Sequence, residues 1–340
     1  MGVKISDIIE KNKISFQELK NKKIAVDFSN AAYQFLTSIR QRDGTPLMDE
    51  NGNITSHLQG ILSRSANLIS QGIKVAYILD GPPPELKLQT QQKRHESKII
   101  AQEKFENAKE SGDMDSMLKY SRQFTRLTKE MSQESAELIR AMGIPVIQAP
   151  SEADAQIAQC CKAGDVWAGS TTDFDVLLHG CTRVVTNLTI SQTKKTSTGA
   201  RIKSSPDFIN LQESLDKLEL NQDQLISLGI LVGTDYHKGI HGIGPKKALK
   251  IIREYKTPKN IFEQHPLPGQ DWEEVFELFK NMKVEKKYDL DWTIPNTEKV
   301  LKILVDKHGF LESRVMASIN RLTGNTIKVS ADQKGLGAWI

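Results

Sequence analysis

The stretch KIAVDFS, residues 23–29, holds an apolar run that ends in Asp27, and KVAYILDG, residues 74–81, holds a second that ends in Asp80. Such runs are typical of parallel strands that are buried on both faces. Between them, residues 55–71 place leucine and isoleucine side chains on one helical face, and Gly72 follows as a stop. The pattern predicts a strand, a crossover helix and a second, parallel strand.

The same alternation of strands and helices continues later in the chain. We expect a helix at 133–142, a strand at 145–149, a helix that opens at Ser151, and strands at 166–170 and 183–186. Beyond Pro206 the chain is mostly helical, with helices predicted at 222–232 and 245–255. The sequence therefore predicts an α/β fold with a mostly parallel central sheet flanked by helices.

Two segments have a biased charge composition. Residues 85–129 contain ten Lys or Arg, seven Asp or Glu and a break at Ser111-Gly112-Asp113. They fit either a solvated pair of charged helices or a segment that projects from the core, and the first is the commoner case for an arbitrary protein. Residues 186–205 carry four basic residues and no acid, which favours a basic loop or hairpin.

Length and composition limit the classes of protein to consider. With 340 residues, 38% of them hydrophobic, the chain can bury a sizeable core. Its net charge of +4 indicates an anionic partner only faintly. Cys160, Cys161 and Cys181 suit neither a disulfide framework nor a C-x-x-C metal site. Without a signal-peptide pattern or an apolar stretch long enough for a membrane span, we expect a cytoplasmic protein.

Acidic residues recur at or just after the carboxyl ends of the predicted strands. They are Asp27, Asp80, Glu152, Asp154, Asp173 and Asp175, with Asp235 as a seventh candidate after an apolar helix. In an open α/β sheet, these strand ends line the ligand crevice. Helix capping by Ser151 and Asp154, and a solvated turn at Asp173 and Asp175, remain alternatives for each pair taken alone. Only the recurrence at several strand ends favours a shared site.

The residue types of this cluster indicate the metal. Carboxylate oxygens without an accompanying histidine or cysteine set are the ligands of Mg²⁺ or Mn²⁺ rather than Zn²⁺. Two such ions about 4 Å apart would support phosphoryl chemistry. The chain has no G-x-x-x-x-G-K-[ST] element, which argues against a nucleotide triphosphatase.

A glycine-rich turn precedes the helix predicted at 245–255. In GIHGIGPKKA, residues 239–248, Pro245 suits the first helical position, and Lys246 and Lys247 lie in the first turn. Backbone amides at a helix start, together with lysines, form an anion site. The turn has the form of a helix-hairpin-helix clamp on a DNA backbone, and a plain tight turn is the alternative.

Taken together, the motifs of this chain resemble those of the flap endonucleases. They are VDFSNAAYQFL, YILDGPPPELK, APSEADAQ, TTDFDVLLHG and LVGTDYHKGIHGIGPKKA, in that order. The resemblance implies a PIN-like 5′-nuclease fold with a helical arch or cap. It also implies that the seven acids bind two Mg²⁺ ions, with Mn²⁺ as a substitute, directly or through water. Asp154 departs from the family pattern, in which a second glutamate is usual.

The resemblance also assigns roles to basic and aromatic residues. Lys87 and Arg94 would reach the scissile phosphate and neutralise charge in the transition state. Residues with DNA-binding roles would be Tyr33, which stacks on a base, and Arg40, Arg64, Gly242, Gly244, Lys246 and Lys247, which hold the duplex. Family members bind K⁺ in the glycine turn, here through backbone near Gly239, Ile240 and Ile243. The charged segment after Asp80 would be the arch that the 5′ single strand occupies, which reverses the preference for a merely solvated face.

The chain ends in QKGLGAWI. Gln333, Leu336, Trp339 and Ile340 match the pattern of a sliding-clamp binding peptide, although Ile340 replaces the usual second aromatic residue. A frayed terminus is the alternative, but an exposed Trp and Ile without a use are unexpected there. We expect a tail at 326–340 that binds a sliding clamp.

These observations give one domain organisation and one preferred function. We expect a single nuclease domain over 1–325, with an N-terminal region at about 1–98, the arch at about 85–130 and an internal region at about 131–258. The helix-hairpin-helix element would span about 221–257. The resemblance implies a monomeric 5′ flap endonuclease and 5′ to 3′ exonuclease in DNA replication, including Okazaki fragment maturation, and base excision repair. A sibling exonuclease or bubble-cutting repair nuclease, and a non-catalytic junction binder that recruits the clamp, are the alternatives.

Overall fold

The fold is built on a mixed β-sheet, seen in a computed structural model that describes residues 2–41, 44–189, 193–195, 201–203 and 205–324. Its strands in these ranges are β1 Asn12–Lys13, β2 Lys23–Asp27, β3 Lys74–Leu79, β4 Val146–Gln148, β5 Ala168–Ser170, β6 Arg183–Thr186, β7 Thr193–Lys195, β8 Arg201–Lys203 and β9 Asp207–Asn210. Seven form one sheet in the order β1-β9-β6-β5-β2-β3-β4, and β7 and β8 form a separate antiparallel hairpin.

The centre of the large sheet is parallel. Strand β2 pairs in parallel with both β3 and β5, β3 pairs with β4, and β5 pairs with β6. Only β9 runs the other way, between β6 and β1. The mostly parallel sheet predicted from the sequence is confirmed, and its parallel strands all place their carboxyl ends at one edge.

Helices cover both faces of the sheet. In the described ranges they are α1 Phe28–Ser38, α2 Ser56–Ser70, α3 Leu88–Ser111, α4 Met114–Gln123, α5 Lys129–Ala141, α6 Ala153–Lys162, α7 Asp175–Leu178, α8 Leu211–Leu218, α9 Gln222–Val232, α10 Pro245–Tyr255, α11 Pro258–Gln264, α12 Trp272–Asn281, α13 Thr297–Leu301 and α14 Glu312–Leu322. A 3₁₀ turn at Glu85–Lys87 and a π turn at Lys302–Asp306 complete them. No helix of the described residues is long and apolar enough to cross a membrane.

The core consists of two apolar layers, one on each face of the sheet. Neighbouring residues of β3 alternate between them, with Tyr77 in the layer under α1, α2, α5 and α14 and Ile78 in the layer under α6, α9, α10 and α12. Both side chains are fully buried, as expected for a strand covered on both faces. The tyrosine hydroxyl is satisfied by Ser65 Oγ at 2.9 Å. This two-sided packing fixes the strand ends that carry the acids.

Helices α3 and α4 form a pair between β3 and α5. Gly112 ends α3 in the left-handed conformation, with φ of 71°, and Asp113 caps α4 by accepting from the Ser116 amide, so the break predicted at 111–113 is confirmed. The rings of Phe105 and Phe124 pack against each other at an angle of 59°, with centroids 5.1 Å apart. The two helices thus bury a small interface of their own.

Two predicted helix starts differ from the observed ones. Helix α5 begins at Lys129 rather than 133, because Thr128 Oγ1 accepts from the Met131 amide and caps an earlier turn. Helix α6 begins at Ala153, and Ser151 donates to the carbonyl of Pro82 instead of capping it. The capping alternative for Ser151 and Asp154 is therefore wrong, which leaves the Asp154 carboxylate available to a site.

Candidate active site

The carboxyl edge of the parallel strands gathers the predicted acids into one place. Asp27 is the last residue of β2, Asp80 follows β3, and Asp173 lies three residues after β5. A cavity of about 490 Å³ is lined by six of the seven predicted acids, namely Asp27, Asp80, Glu152, Asp154, Asp173 and Asp235. The seventh, Asp175, is buried at 5% exposure and accepts a hydrogen bond from the amide of Val3. The solvated-turn alternative therefore fails for Asp175.

Asp27 and Asp80 are held by neighbours at the strand ends. Asp27 Oδ1 accepts from the Asn30 amide at 2.9 Å and caps α1, while Oδ2 accepts from Thr171 Oγ1 at 3.1 Å. Asp80 accepts from Ser29 Oγ at 2.6 Å and from the Ala153 amide at 2.9 Å. Burial, with the nearby charge of Asp80, raises the pKa of Asp27 to about 7. Both carboxylates are thus oriented before any ligand arrives.

The amino terminus packs against Asp173. The Gly2 amide nitrogen donates to Asp173 Oδ2 at 2.9 Å. A Cβ at position 2 would lie 1.7 Å from Asp173 Oδ1, so a side chain there would displace either the terminus or the carboxylate. Only glycine fits this contact without a shift.

Asp154 supplies the strongest indication that the cluster suits a cation. Burial, followed by the charges of Asp173, Asp27 and Asp175, raises its pKa well above the usual range. Its Oδ1 atom is buried and has no hydrogen-bond partner in the described structure. An unsatisfied carboxylate oxygen among like charges is costly, and a divalent cation would relieve both the desolvation and the repulsion. The donor set, all carboxylate oxygen, suits Mg²⁺.

The acids are nevertheless not arranged as a finished ligand set. In the described part of the chain, no three acidic, histidine or cysteine side chains converge closely enough to hold an ion as they stand. Side-chain cations neutralise part of the cluster instead. Lys87 Nζ contacts Glu152 and lies 3.5 Å from Asp235 Oδ2, and Arg94 Nη2 lies 2.5 Å from Asp235 Oδ1. Burial lowers the pKa of Lys87, but the contact with Glu152 and the charges of Asp235 and Asp80 together outweigh that effect and raise the pKa overall.

Lys87 and Arg94, the two cations expected to reach the scissile phosphate, lie beside the acids, and their action on a phosphate stays a prediction. Both line the acidic cavity, Lys87 from the 3₁₀ turn at its rim and Arg94 from the first two turns of α3. Their cationic ends pair with Glu152 and Asp235, and Lys98 and Arg126 also line the cavity, so the acidic site carries positive charge as well.

Tyr33 also lines the cavity, but the two predicted arginines lie elsewhere. Lys98 Nζ lies 4.9 Å from the centroid of the Tyr33 ring. Arg40 is used inside the protein, where its guanidinium donates to the carbonyl of Gly44 and to Ser121 Oγ. Arg64 is half-buried on α2, and its Nε has no hydrogen-bond partner in the described structure. The structure thus gives Arg40 a structural task in addition to the predicted one.

The glycine turn between α9 and α10 is a tight turn that leads directly into α10. Gly239 and Gly242 have φ of 74° and 78°, and Gly244 precedes Pro245 at the start of α10. A Cβ on Gly239 would lie 2.5 Å from the backbone of Val232, so the turn depends on close backbone approach. Lys246 and Lys247 are exposed in the first turn of α10. The geometry suits an anion, and the binding of DNA or K⁺ here remains a prediction.

Sequence reasoning missed Tyr236 as a partner of the acids. Its hydroxyl donates to Glu152 Oε2 at 2.5 Å, and its ring packs edge-on against Phe279. Its position next to Asp235 was the only signal in the sequence. Ser29 and Thr171, which donate hydrogen bonds to Asp80 and Asp27, were also missed, because their only signal was a position close to a predicted acid. The predicted clamp-binding residues Gln333, Leu336, Trp339 and Ile340 lie outside the described residues.

Comparison with known proteins gives concordant matches. Residues 1–101 match the XPG N-terminal domain and residues 143–235 match the XPG I-region. Flap endonuclease 1 of Pyrococcus horikoshii is 43% identical over 342 residues, covering 100% of this chain and 98% of that protein. Flap endonuclease 1 of Staphylothermus marinus is 42% identical, covering 100% of both chains.

Solved structures give the same picture. The structure of flap endonuclease-1 from Methanococcus jannaschii superposes with a TM-score of 0.76 at 38% identity, covering 94% of this chain and 98% of that one. The catalytic core of Rad2 in complex with DNA substrate superposes with a TM-score of 0.67 at 22% identity, covering 93% and 96%. The second likeness concerns the fold alone.

Proposed function

The chain belongs to the flap endonuclease family of structure-specific 5′ nucleases, and from this premise we propose that it hydrolyses DNA phosphodiesters where a duplex meets a 5′ flap. The reaction would leave a 5′-phosphate and a nick that a ligase can seal. The observation that carries the proposal is the cavity in which six carboxylates face Lys87 and Arg94. Such a site pairs acids for a metal with cations for a phosphate.

The metal requirement follows from the family and from the donor set. Nucleases of this family depend on divalent metal ions. We propose two Mg²⁺ ions, replaceable by Mn²⁺, held directly or through water by Asp27, Asp80, Glu152, Asp154, Asp173, Asp175 and Asp235. When bound, such ions supply Lewis acidity to the phosphodiester and lower the pKa of water. The unsatisfied Oδ1 of Asp154 is the observation that supports a cation here.

Lys87 and Arg94 would act on the phosphate. Lys87 and Arg94 form ion pairs with Glu152 and Asp235 respectively. A phosphodiester in the cavity would offer oxygens to the same two cations, and the ion pairs would be exchanged for contacts with phosphate. Cations aimed at the developing charge stabilise the transition state more than the ground state. Both residues would therefore act mainly on turnover.

The DNA would be held through its backbone. We propose that Lys246, Lys247 and the amides at the start of α10 bind duplex phosphates, with K⁺ in the adjoining turn. Such contacts position the DNA without reading its sequence, which suits an enzyme that recognises structure. Tyr33, in the wall of the cavity, would stack on a base beside the cut.

We also propose a protein partner. The tail at 326–340 would bind a sliding clamp through Gln333, Leu336, Trp339 and Ile340, while the nuclease acts as a monomer in the cytoplasm. Such a link would bring cleavage to sites of replication and base excision repair.

A cleavage assay tests the proposal against the alternatives. Labelled 5′-flap, bubble and blunt duplexes are incubated with Mg²⁺, with a chelator as control, alongside Asp80→Asn. We expect cutting at the flap junction that needs Mg²⁺ and is lost in the variant. Preferred cutting of the bubble would favour a repair nuclease, and flap binding without cutting would favour a non-catalytic junction binder. Equal cleavage by the wild type and Asp80→Asn would refute the assigned site.

A further inference from the structure

A row of cations and tryptophans lies at the amino ends of the parallel strands, the edge of the sheet opposite to the acids. We call it the amino-edge row. Its members are Lys22, Lys23, Lys74, Arg183, Trp167 and Trp292. Because four steps of about 3.3 Å separate the two ends of β2, the row lies roughly 13 Å or more from Asp27 and Asp80. It is therefore a surface separate from the candidate active site.

Backbone pairing aligns the row across neighbouring strands. Lys23 lies opposite Lys74 in the register of β2 and β3, and the Lys74 amide donates to the carbonyl of Lys22 at 2.9 Å. On the other side of β2, the Trp167 amide donates to the carbonyl of Lys23 at 2.8 Å. Arg183 begins β6, the next strand. With strands about 4.8 Å apart, the row spans roughly 15 Å from β6 to β3.

The two indole rings hold the cations. Lys22 Nζ and Arg183 Cζ lie 5.4 and 5.9 Å from the centroid of Trp167, which also stacks on Phe208 at 5.4 Å. Lys23 and Lys74 Nζ lie 5.6 and 5.7 Å from the centroid of Trp292. Trp292 is itself fixed, because its indole N–H donates to the carbonyl of Val75 at 2.7 Å. The rings thus limit the freedom of four long side chains.

None of the four cations has an acidic partner among the residues that the structure describes. In the described part of the chain, no carboxylate lies within ion-pair distance of Lys22, Lys23, Lys74 or Arg183, although other surface cations such as Lys13 and Lys217 do form ion pairs. Like charges held side by side repel each other, and cation–π contacts reduce their hydration without neutralising them. The arrangement is complementary to an extended anion.

We propose that the amino-edge row binds the phosphate backbone of a second segment of duplex DNA while the opposite edge holds the flap junction. Duplex DNA carries about one negative charge per 1.7 Å of its axis, so a row of roughly 15 Å meets several phosphates. A single strand is disfavoured, because its affinity comes largely from bases that stack on free aromatic faces. Here Trp167 is stacked on Phe208 and approached by two cations, and Trp292 is approached by two more.

The test uses the full chain with its active-site edge already occupied. The protein is saturated with an unlabelled 5′-flap junction in chelator, and a fluorescent blunt duplex is then titrated in. We expect the wild-type complex to bind this second duplex and K22Q/K23Q/K74Q/R183Q to bind it about tenfold more weakly. The magnitude of the slope of log affinity against log salt should also fall by about 3.6, since each of the four lost phosphate contacts removes about 0.9.

A second variant that loses the same number of positive charges elsewhere on the surface serves as the control. K283Q/K286Q/K299Q/K302Q removes four exposed lysines outside the row and should bind the second duplex like the wild type. Flap cleavage should be unchanged in both variants. Equal affinity of the row variant and the wild type for the second duplex would overturn the proposal. The proposal would also be overturned if the row variant had a lower melting temperature but bound the second duplex as tightly as the wild type. The four cations would then stabilise the carboxyl ends of nearby helices instead of binding DNA. Binding of polyglutamate in place of the duplex would identify an acidic protein partner instead.

Discussion

Asp154 is a single residue that destabilises the folded chain and belongs to the candidate metal site. Its carboxylate is buried among other acids, and one oxygen has no hydrogen-bond partner in the described structure. Nothing in the packing of α6 requires an acid at this position, because the helix is not capped by it. Unfavourable charge that the fold retains is characteristic of functional sites.

Asp154→Asn should therefore stabilise the metal-free protein. Asparagine carries no charge, so it removes the free-energy cost of either burying or protonating the Asp154 carboxyl beside Asp173, Asp27 and Asp175, and we expect a gain on the order of 1 kcal/mol in the free energy of unfolding. The stabilisation that added Mg²⁺ gives the wild type should shrink in the variant. Melting in chelator and across a Mg²⁺ titration checks both effects, with the exposed Asp289→Asn as control. A variant that melts earlier in chelator would contradict the account.

Lys87→Ala should affect turnover more than binding. The ammonium group lies at the rim of the acidic cavity, where it would meet developing negative charge on the phosphate. Loss of one such donor typically lowers kcat by about 10²–10³-fold. Single-turnover cleavage and DNA affinity, measured on the same preparation, separate the two effects. A loss confined to affinity would place Lys87 among the DNA-holding residues.

His57, which lies outside the candidate active site, should make the free energy of unfolding depend on pH. It is fully buried on α2, and neither ring nitrogen has a hydrogen-bond partner in the described structure. Burial lowers its pKa from 6.5 to about 4. Since the unfolded chain takes up the proton first, stability is complete above pH 6.5 and is lost as the pH falls from 6.5 towards 4.

The loss attributable to His57 should be about 3 kcal/mol over that range. Urea unfolding between pH 7 and pH 4 measures it, and His57→Gln should show a shallower decline than the wild type. His179, which is also buried with a pKa lowered to about 4, remains to titrate in the variant, so the decline should not vanish. The exposed His241→Gln serves as control. Identical pH profiles for His57→Gln and the wild type would refute the assignment.

At the scale of elements, local signals determined which boundaries could be predicted. Helices α9 and α10 begin and end where the sequence predicts, because Asn221 forms a capping box and Pro245 follows Gly244. The segment between α12 and α13 gave no such signal. It is held by hydrogen bonds to residues far away in the sequence. The side-chain amide of Gln156 donates to the carbonyl of Glu285, and the indole of Trp292 donates to the carbonyl of Val75. Contacts between residues far apart in sequence cannot be predicted from local pattern.

The order of the helix pair α3 and α4 should depend on Arg40. Arg40 links α1 to the end of α4, where it bonds Ser121 and Thr125. Arg40→Lys keeps the charge but loses the fork of donors. We therefore expect faster amide exchange in α3 and α4, with the sheet unchanged, and weaker flap cleavage.

Hydrogen exchange monitored by mass spectrometry resolves these segments. Lys109→Ala, an exposed change at the end of α3, is the control and should exchange like the wild type. If Arg40→Lys lowers duplex affinity while exchange in α4 is unchanged, Arg40 acts on DNA, as the family resemblance implies, rather than on the helix pair.

For the whole molecule, the parallel sheet accounts for what the sequence could predict of the site. Strand ends at one edge bring Asp27, Asp80 and Asp173 together although they are far apart in the chain, and the rule for parallel sheets predicts this from the strands alone. The partners that orient the acids, such as Gly2 and Tyr236, depend on how the two faces of the sheet pack. No local pattern encodes that packing, so these residues became visible only in the structure.

The tail at 326–340 should act as a functional unit separate from the nuclease domain. Removal of residues 333–340 should abolish binding to the sliding clamp, because Gln333, Leu336, Trp339 and Ile340 would supply every clamp contact proposed here. Basal flap cleavage should be nearly unchanged, because every proposed metal and phosphate ligand lies between residues 27 and 247. Calorimetry with the clamp and flap cleavage without it measure the two functions separately. Trp339→Ala in the full chain should reproduce the loss of clamp binding, whereas Lys334→Ala, outside the four-residue pattern, should not. Unchanged clamp affinity after truncation would place the interface on the folded domain.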